Sequence, residues 1–262
     1  MRNQASAIRI IAKSVLVEAV RRKEIYVIIL LCCALIGVLM TLDFFGLDGL
    51  VKFYRQVALQ LMGVSTAVAV VLLATRQLPR EFEFRTIYPL MARPVGRFTF
   101  LLGKGLGVCA AAAFCFGLFM ILYVAGILSL GGDLGWGLFL QHLYLQMLLM
   151  MILTAMCFML SLMLSYDAAL VIGLLLYSAS GIISSTSIFL FDLTTDLGRL
   201  LLLALNYLLP QLVLFDLSEK IIHSELWGPV SLAAMVALTA YALAFTSVFT
   251  AISCRLFRRR PI

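Results

Sequence analysis

Apolar positions along this chain come in long runs, and polar positions gather in short clusters between them. Six stretches, 25–42, 56–75, 103–130, 137–164, 168–191 and 229–253, are long enough to cross a bilayer as helices, for which about 20 apolar residues suffice. None carries Asp, Glu, Lys or Arg near its middle; Asp167 and Asp192 lie at the two ends of the fifth. A further apolar stretch, LLLLALNYLLPQLVLFDL at 200–217, is broken by Pro210, which removes a backbone donor and divides one helix into two. The pattern therefore predicts a re-entrant pair of short helices within 192–228, in the outer leaflet between the fifth and sixth spans. Such a pair is tolerated only where protein or a wet cavity covers the freed backbone groups.

At the start of the chain Ile8, Ile11, Val15 and Ala19 recur at helical spacing, with Arg9, Lys13 and Arg22 elsewhere around the wheel. Residues 1–24 are predicted to form an interfacial helix lying on the inner membrane surface. Anchoring to anionic lipid and contact with a partner both account for its charges. The same mixture of charge and apolar residues lacks the short pure apolar core of a cleavable signal peptide, so the start is expected to be retained.

A content of 63% hydrophobic and 13% charged residues excludes an ordinary soluble protein. The fold class expected is an all-α integral membrane protein, one transmembrane domain over 1–262. Orientation follows from the basic residues. Six precede the first span, six (Arg76, Arg80, Arg85, Arg93, Arg97, Lys104) follow the second, and Arg255, Arg258, Arg259 and Arg260 close the chain, sixteen of twenty on one face. By the positive-inside rule both termini and the 76–102 loop are expected to be cytoplasmic, in the cell membrane. The net charge of +7 is thus a matter of membrane orientation, and nucleic acid is not an expected partner.

The 76–102 loop is more than a charged connector. Pro79 suits the first position of a helix, and Phe84, Ile87, Tyr88 and Met91 then make one apolar stripe. Glu81 and Arg85 are spaced to pair along its flank. Pro94 disfavours helical geometry at Arg93, and Gly96 permits a sharp turn before Arg97. A short amphipathic helix over 79–92 is predicted. Topological charge and lipid anchoring alone would ask for basic residues, but not for Glu81, Glu83 or the sharp stop.

These residues resemble the hallmark loop of the membrane subunits of type-2 ATP-binding-cassette (ABC-2) exporters. The resemblance rests on Glu81 and Glu83, Arg85-Thr86-Ile87, Arg93-Pro94, Arg97 and Gly103-Lys104, in that order, and the six-span layout extends it over almost the entire chain. It implies that the loop is a coupling helix received by a groove on a separate cytoplasmic ATPase. Arg80, Glu81, Glu83, Phe84, Arg85, Ile87, Tyr88, Arg93, Pro94, Arg97 and Lys104 are the candidate coupling residues. It implies further that two copies of the permease, or one and a paralogue, work with two ATPase subunits holding ATP and magnesium. The short loops expected at 43–55 and 131–136 leave no room for a large outer domain.

What the chain lacks bears on the energy source. Proton- or cation-coupled carriers normally hold ionisable groups inside the membrane, and none is seen here, although sodium sites built from backbone carbonyls need none. Gly103-Lys104 is followed by Gly105, not by Ser or Thr, so no phosphate-binding loop is present. The chain is expected to be no enzyme, to bind no cofactor and to take its energy from a partner. A membrane scaffold that transports nothing, or an ion-coupled carrier, are the rival readings.

Three other features were weighed for chemistry. Tyr177, Ser178, Ser180, Ser184, Ser185 and Thr186 cluster in the outer half of the fifth span, as a lined pathway or a subunit interface would require, although hydroxyls also bond back to their own helix. Ser178-Ala179-Ser180-Gly181 is similar to an intramembrane serine protease motif, but His142 and His223, the only histidines, fall near the outer surface and neither is placed as a base. Six cysteines lack paired spacing, and the methionines at 147, 150, 151, 156, 159 and 163 suit packing better than Cu(I) conduction, so no metal site is expected. Gly103, Gly105 and Gly107 permit close helix approach, most simply within one subunit.

Overall fold

The computed structural model describes residues 2–21, 26, 30, 33, 34, 37, 46–83, 96–190, 195, 198–200, 202, 209–223 and 227–259, without side chains at 2, 3, 46–48 and 184–190. Its described elements are α1 (Arg2–Val20), α2 (Gly46–Glu83), α3 (Arg97–Ser129), α4 (Trp136–Met163), α5 (Tyr166–Leu190), a 3-10 turn (Leu212–Phe215), α6 (Ser218–Ile222) and α7 (Leu232–Arg259). Five of them, α2 to α5 and α7, are long and apolar enough to cross a membrane. The first expected span, 25–42, falls almost wholly outside the described residues, and among the described residues five such helices stand.

The bundle is built around α4. It packs against α2, α3, α5 and α7 as well as the 3-10 turn and α6. In its most apolar window 83% of residues are buried, against 6% for α7, which offers most of its surface to the surroundings. Leu145, Ile152, Leu153 and Cys157 of α4 are fully enclosed. The α4 methionines are spread around the helix: Met150 and Met156 fill the core, while Met147 and Met163 are exposed. That distribution is packing, not a lined path.

Two boundaries differ from the sequence expectation. The loop expected at 43–55 is helical from Gly46, because this added length packs against the turn joining α3 to α4. Tyr54 stacks on Tyr123, and Arg55 donates to the carbonyl of Asp133 in that turn. Gly131 there has φ +69°, a left-handed conformation that favours glycine, and its N–H bonds back to Leu128. The second difference is Pro79, which lies inside α2 and does not open a new helix. An internal proline costs about 3 kcal/mol through a lost hydrogen bond and a clash. Here full burial of Leu78 and the anchoring of Arg80 and Glu81, described below, hold the helix on course to Glu83. Gly96 likewise makes no special turn; its φ of −65° is open to any residue.

The apolar stripe of α1 does not face lipid. Ile11, Val15 and Ala19 are buried, and α1 lies along α3 over the most extensive helix contact in the fold. Glycines make the approach close: a Cβ on Gly107 would stand 2.6 Å from that of Val15 and 2.9 Å from the Ala12 carbonyl oxygen, and one on Gly103 2.9 Å from that of Ile11. The Gly103/Gly107 spacing thus serves packing within the subunit. Of the re-entrant pair expected in 192–228, the described residues 209–223 hold a non-helical Pro210, the 3-10 turn and the single turn of α6. This segment is tied down by side chains: the Gln211 N–H donates to the Tyr241 hydroxyl (2.9 Å), and the Leu217 N–H to His142 Nδ1 (3.3 Å). Gln141 exchanges two hydrogen bonds with the backbone of Val230, at 2.8 and 2.9 Å.

Replacing Gly107 with Ala should lower the unfolding temperature in detergent by the equivalent of about 1–3 kcal/mol, the usual range for overpacking. Gly117→Ala, where a Cβ would meet open space, should be neutral or slightly stabilising. Equal melting of the two variants would contradict the close α1–α3 contact.

Candidate functional site

Arg76 and Arg80 of α2, Arg97 and Lys104 of α3 and the last turn of α7 lie at one end of the bundle, and their contacts define the candidate site. The 84–95 segment that joins α2 to α3 lies outside the described residues, and with it Phe84, Arg85, Ile87, Tyr88, Arg93 and Pro94. The helix ends that carry the segment are well defined.

Lys104 lies two turns into α3 and is buried, although it was expected to face a partner. Its ammonium donates to Glu81 Oε1 at 2.6 Å and to Gln77 Oε1 at 3.0 Å, both on α2. The Lys104 nitrogen also stands 5.9 Å from the centre of the Phe100 ring. With side-chain exposures of 6% and 20%, Lys104 and Glu81 form an internal ion pair shielded from most screening. Burying an ammonium is tolerable only with such partners. The Glu81–Arg85 pair suggested by sequence spacing involves a residue outside the described ones; among the described residues Glu81 pairs with Lys104 across two helices.

Arg97 also works inward. Its Nη1 donates to the carbonyls of Phe257 (3.2 Å) and Arg258 (3.0 Å), supplying donors to the last turn of α7. Its guanidinium carbon lies 5.7 Å from the centre of the Phe257 ring. Phe257 is gripped by Phe82 of α2 at 5.8 Å and Phe100 of α3 at 6.0 Å, so three helix ends share one aromatic cluster. Arg80 pairs with Glu18 of α1. Glu83 is exposed at the point where the undescribed segment leaves α2.

The expected coupling set therefore divides. Arg80, Glu81, Arg97 and Lys104 brace α1, α2, α3 and α7 to one another, and Glu83 faces out. Gln77, Glu18, Phe82, Phe100 and Phe257 join the brace and were missed by sequence reasoning. Only Gln77 had a visible signal, as a polar residue one helical turn before Glu81.

The hydroxyl cluster of α5 is less suggestive in place. Ser178 Oγ donates to the Leu174 carbonyl at 3.0 Å and Ser180 Oγ to that of Tyr177 at 2.7 Å, so both bond back to their own helix. The Tyr177 hydroxyl approaches Gly63 of α2, where a Cβ would stand 3.9 Å away. The side chains of Ser184, Ser185 and Thr186 lie outside the described residues.

If the Lys104–Glu81 pair is the brace described, Glu81→Ala should lower stability by about 3 kcal/mol, the lower part of the range for stranding one partner of a buried pair. Lys104→Met in the same chain should restore part of that loss in thermal unfolding. Strictly additive effects would deny any coupling between the two groups.

Residues 19–183 match the family model described as "ABC-2 family transporter protein", well over half the chain. No curated protein matches it.

Proposed function

The chain belongs to the ABC-2 family of transporter proteins and is a multi-pass membrane permease of that type, and we propose that it is the membrane subunit of an ATP-driven exporter in the cell membrane. On this reading a second permease, identical or paralogous, completes the pathway, and two cytoplasmic ATPases supply the energy. The basic end is then the cytoplasmic one, as the charge bias favours, and the 84–95 segment is the element the ATPase receives. The substrate leaves outward by alternating access or lateral extrusion.

The observation that carries this reading is the bracing of the two helix ends on either side of that segment. Lys104 holds α3 to Glu81 and Gln77 of α2. Arg80 adds α1 through Glu18, and Arg97 with Phe257 adds α7. A displacement imposed on the loop by ATPase closure would be handed to four helices together and not absorbed by hinging of one. That is the mechanical property a coupling element needs, since energy released on a partner must reach the pathway without dissipation in a flexible joint.

Purification of the tagged chain in mild detergent should recover a nucleotide-binding subunit in stoichiometric amount, with ATPase activity. Replacing Glu83, Phe84 and Arg85 together should abolish that recovery while the chain still folds, with an unchanged unfolding temperature as the check. Recovery of the chain alone under several gentle conditions would overturn the proposal and favour a scaffold or an ion-coupled carrier.

A further inference from the structure

The basic end contains an open cleft of about 1060 Å³ between α1, α2 and the start of α5. It shares Arg80 and Glu18 with the brace and otherwise lies apart from the Lys104 and Phe257 contacts. One wall is a face of α1 turned away from the buried stripe, about 140° around the helix, where Ile10, Lys13, Ser14, Val17 and Arg21 recur at helical spacing. Opposite stand Arg76, Pro79 and Arg80 of α2, and Tyr166 closes one side, its ring centre 5.8 Å from the Arg76 guanidinium carbon. Glu18, which pairs with Arg80, and Glu83 also line it, so four cations face two carboxylates.

We propose that this cleft binds the headgroup of an anionic phospholipid, with the phosphate between Lys13, Arg21 and Arg76. Three observations combine. The charge balance favours an anion. The walls are mostly apolar even so, and Ile10 and Val17 are 69% and 41% exposed within the cleft, as suits the glycerol and upper acyl carbons of a lipid better than a free ion. The third is depth. Between Arg55 and Arg76, α2 carries no charged residue over 56–75. At about 1.5 Å per residue that run is about 30 Å long, the thickness of a bilayer's hydrocarbon core. Arg76 therefore sits at phosphate level, where basic side chains attract anionic lipid, while a contact with a cytoplasmic protein would lie farther out, beyond Glu83. A Tyr at this level, as Tyr166 is, matches the interfacial preference of aromatic residues.

The test is native mass spectrometry of the full chain in non-ionic detergent, titrated separately with phosphatidylglycerol, phosphatidylcholine and inorganic phosphate. One phosphatidylglycerol per chain should be retained about tenfold more tightly than phosphatidylcholine, and the variant K13Q/R21Q/R76Q should lose that preference, as expected for three basic groups near a lipid phosphate. Equal retention of the two lipids, an unchanged preference in the variant, or displacement of phosphatidylglycerol by inorganic phosphate would each overturn the proposal. Should the variant fail to fold, a photoactivatable phosphatidylglycerol on the unaltered chain decides: adducts within 10–21 and 76–83 support the site, and adducts spread over the exposed face of α7 refute it. Neither readout requires the ATPase, so its failure would leave the exporter reading untouched.

Discussion

A buried ammonium governs the basic end of this bundle. Lys104 lies two turns inside a long apolar helix, where an unpaired charge would be severely penalised, so Glu81 and Gln77 of the neighbouring helix must be within reach of it. That requirement fixes the axial register of α2 against α3. It also keeps α2 helical beyond Pro79, because Glu81 reaches Lys104 only if the helix continues. The flanking glycines complete the arrangement: Gly103 and Gly107 give α1 its close seat on α3 beside the same lysine. Once α1 is seated, Glu18 is in position for Arg80, and the pair closes a ring of contacts running α1, α2, α3 and back.

Most of the spans were legible because length and hydropathy alone determine them. The expected 103–130, 137–164 and 168–191 agree with α3, α4 and α5 within a few residues. Family membership was legible too, in the order of Glu81, Arg85, Arg93-Pro94 and Gly103-Lys104. Less legible was anything that depends on a second helix. The extension of α2 to Gly46 comes from packing on the α3–α4 turn, through Tyr54 and Arg55, and a local hydropathy reading treats charged residues there as loop. Pro79 carries a strong local signal for a helix start, and tertiary contacts override it. The stripe on α1 was seen correctly, but an apolar stripe does not say whether lipid or protein covers it; the glycines of α3 hold that information, over 80 residues away.

The opposite end of the bundle solves a different problem with the same means. Its irregular segment, 209–223, has backbone groups that no long helix satisfies, and side chains of the spans supply the partners. Tyr241 accepts from Gln211, His142 from Leu217, and Gln141 closes a two-way link to Val230. Because the Leu217 N–H donates to Nδ1, that nitrogen carries no proton, and His142 is the Nε2–H tautomer when neutral. An irregular segment is permissible inside a membrane when protein covers it, and here α2, α4 and α5 provide the cover, with Tyr241 of α7 beside Phe215.

The two ends therefore differ in what they can transmit. Around Pro210 and Val230 the links are neutral hydrogen bonds between side chains and backbone, each contributing about 1 kcal/mol and exchangeable with water when a gap opens. At the basic end they include a buried ion pair and an aromatic cluster shared by three helices, whose separation would strand a charge and expose Phe82, Phe100 and Phe257 together. A load applied between α2 and α3 would accordingly leave the basic end intact as a block and be relieved where the contacts are weakest, among the segments around Pro210 and Val230. On the proposed exporter reading, that asymmetry would put the rigid part next to the ATPase and the yielding part on the outer side.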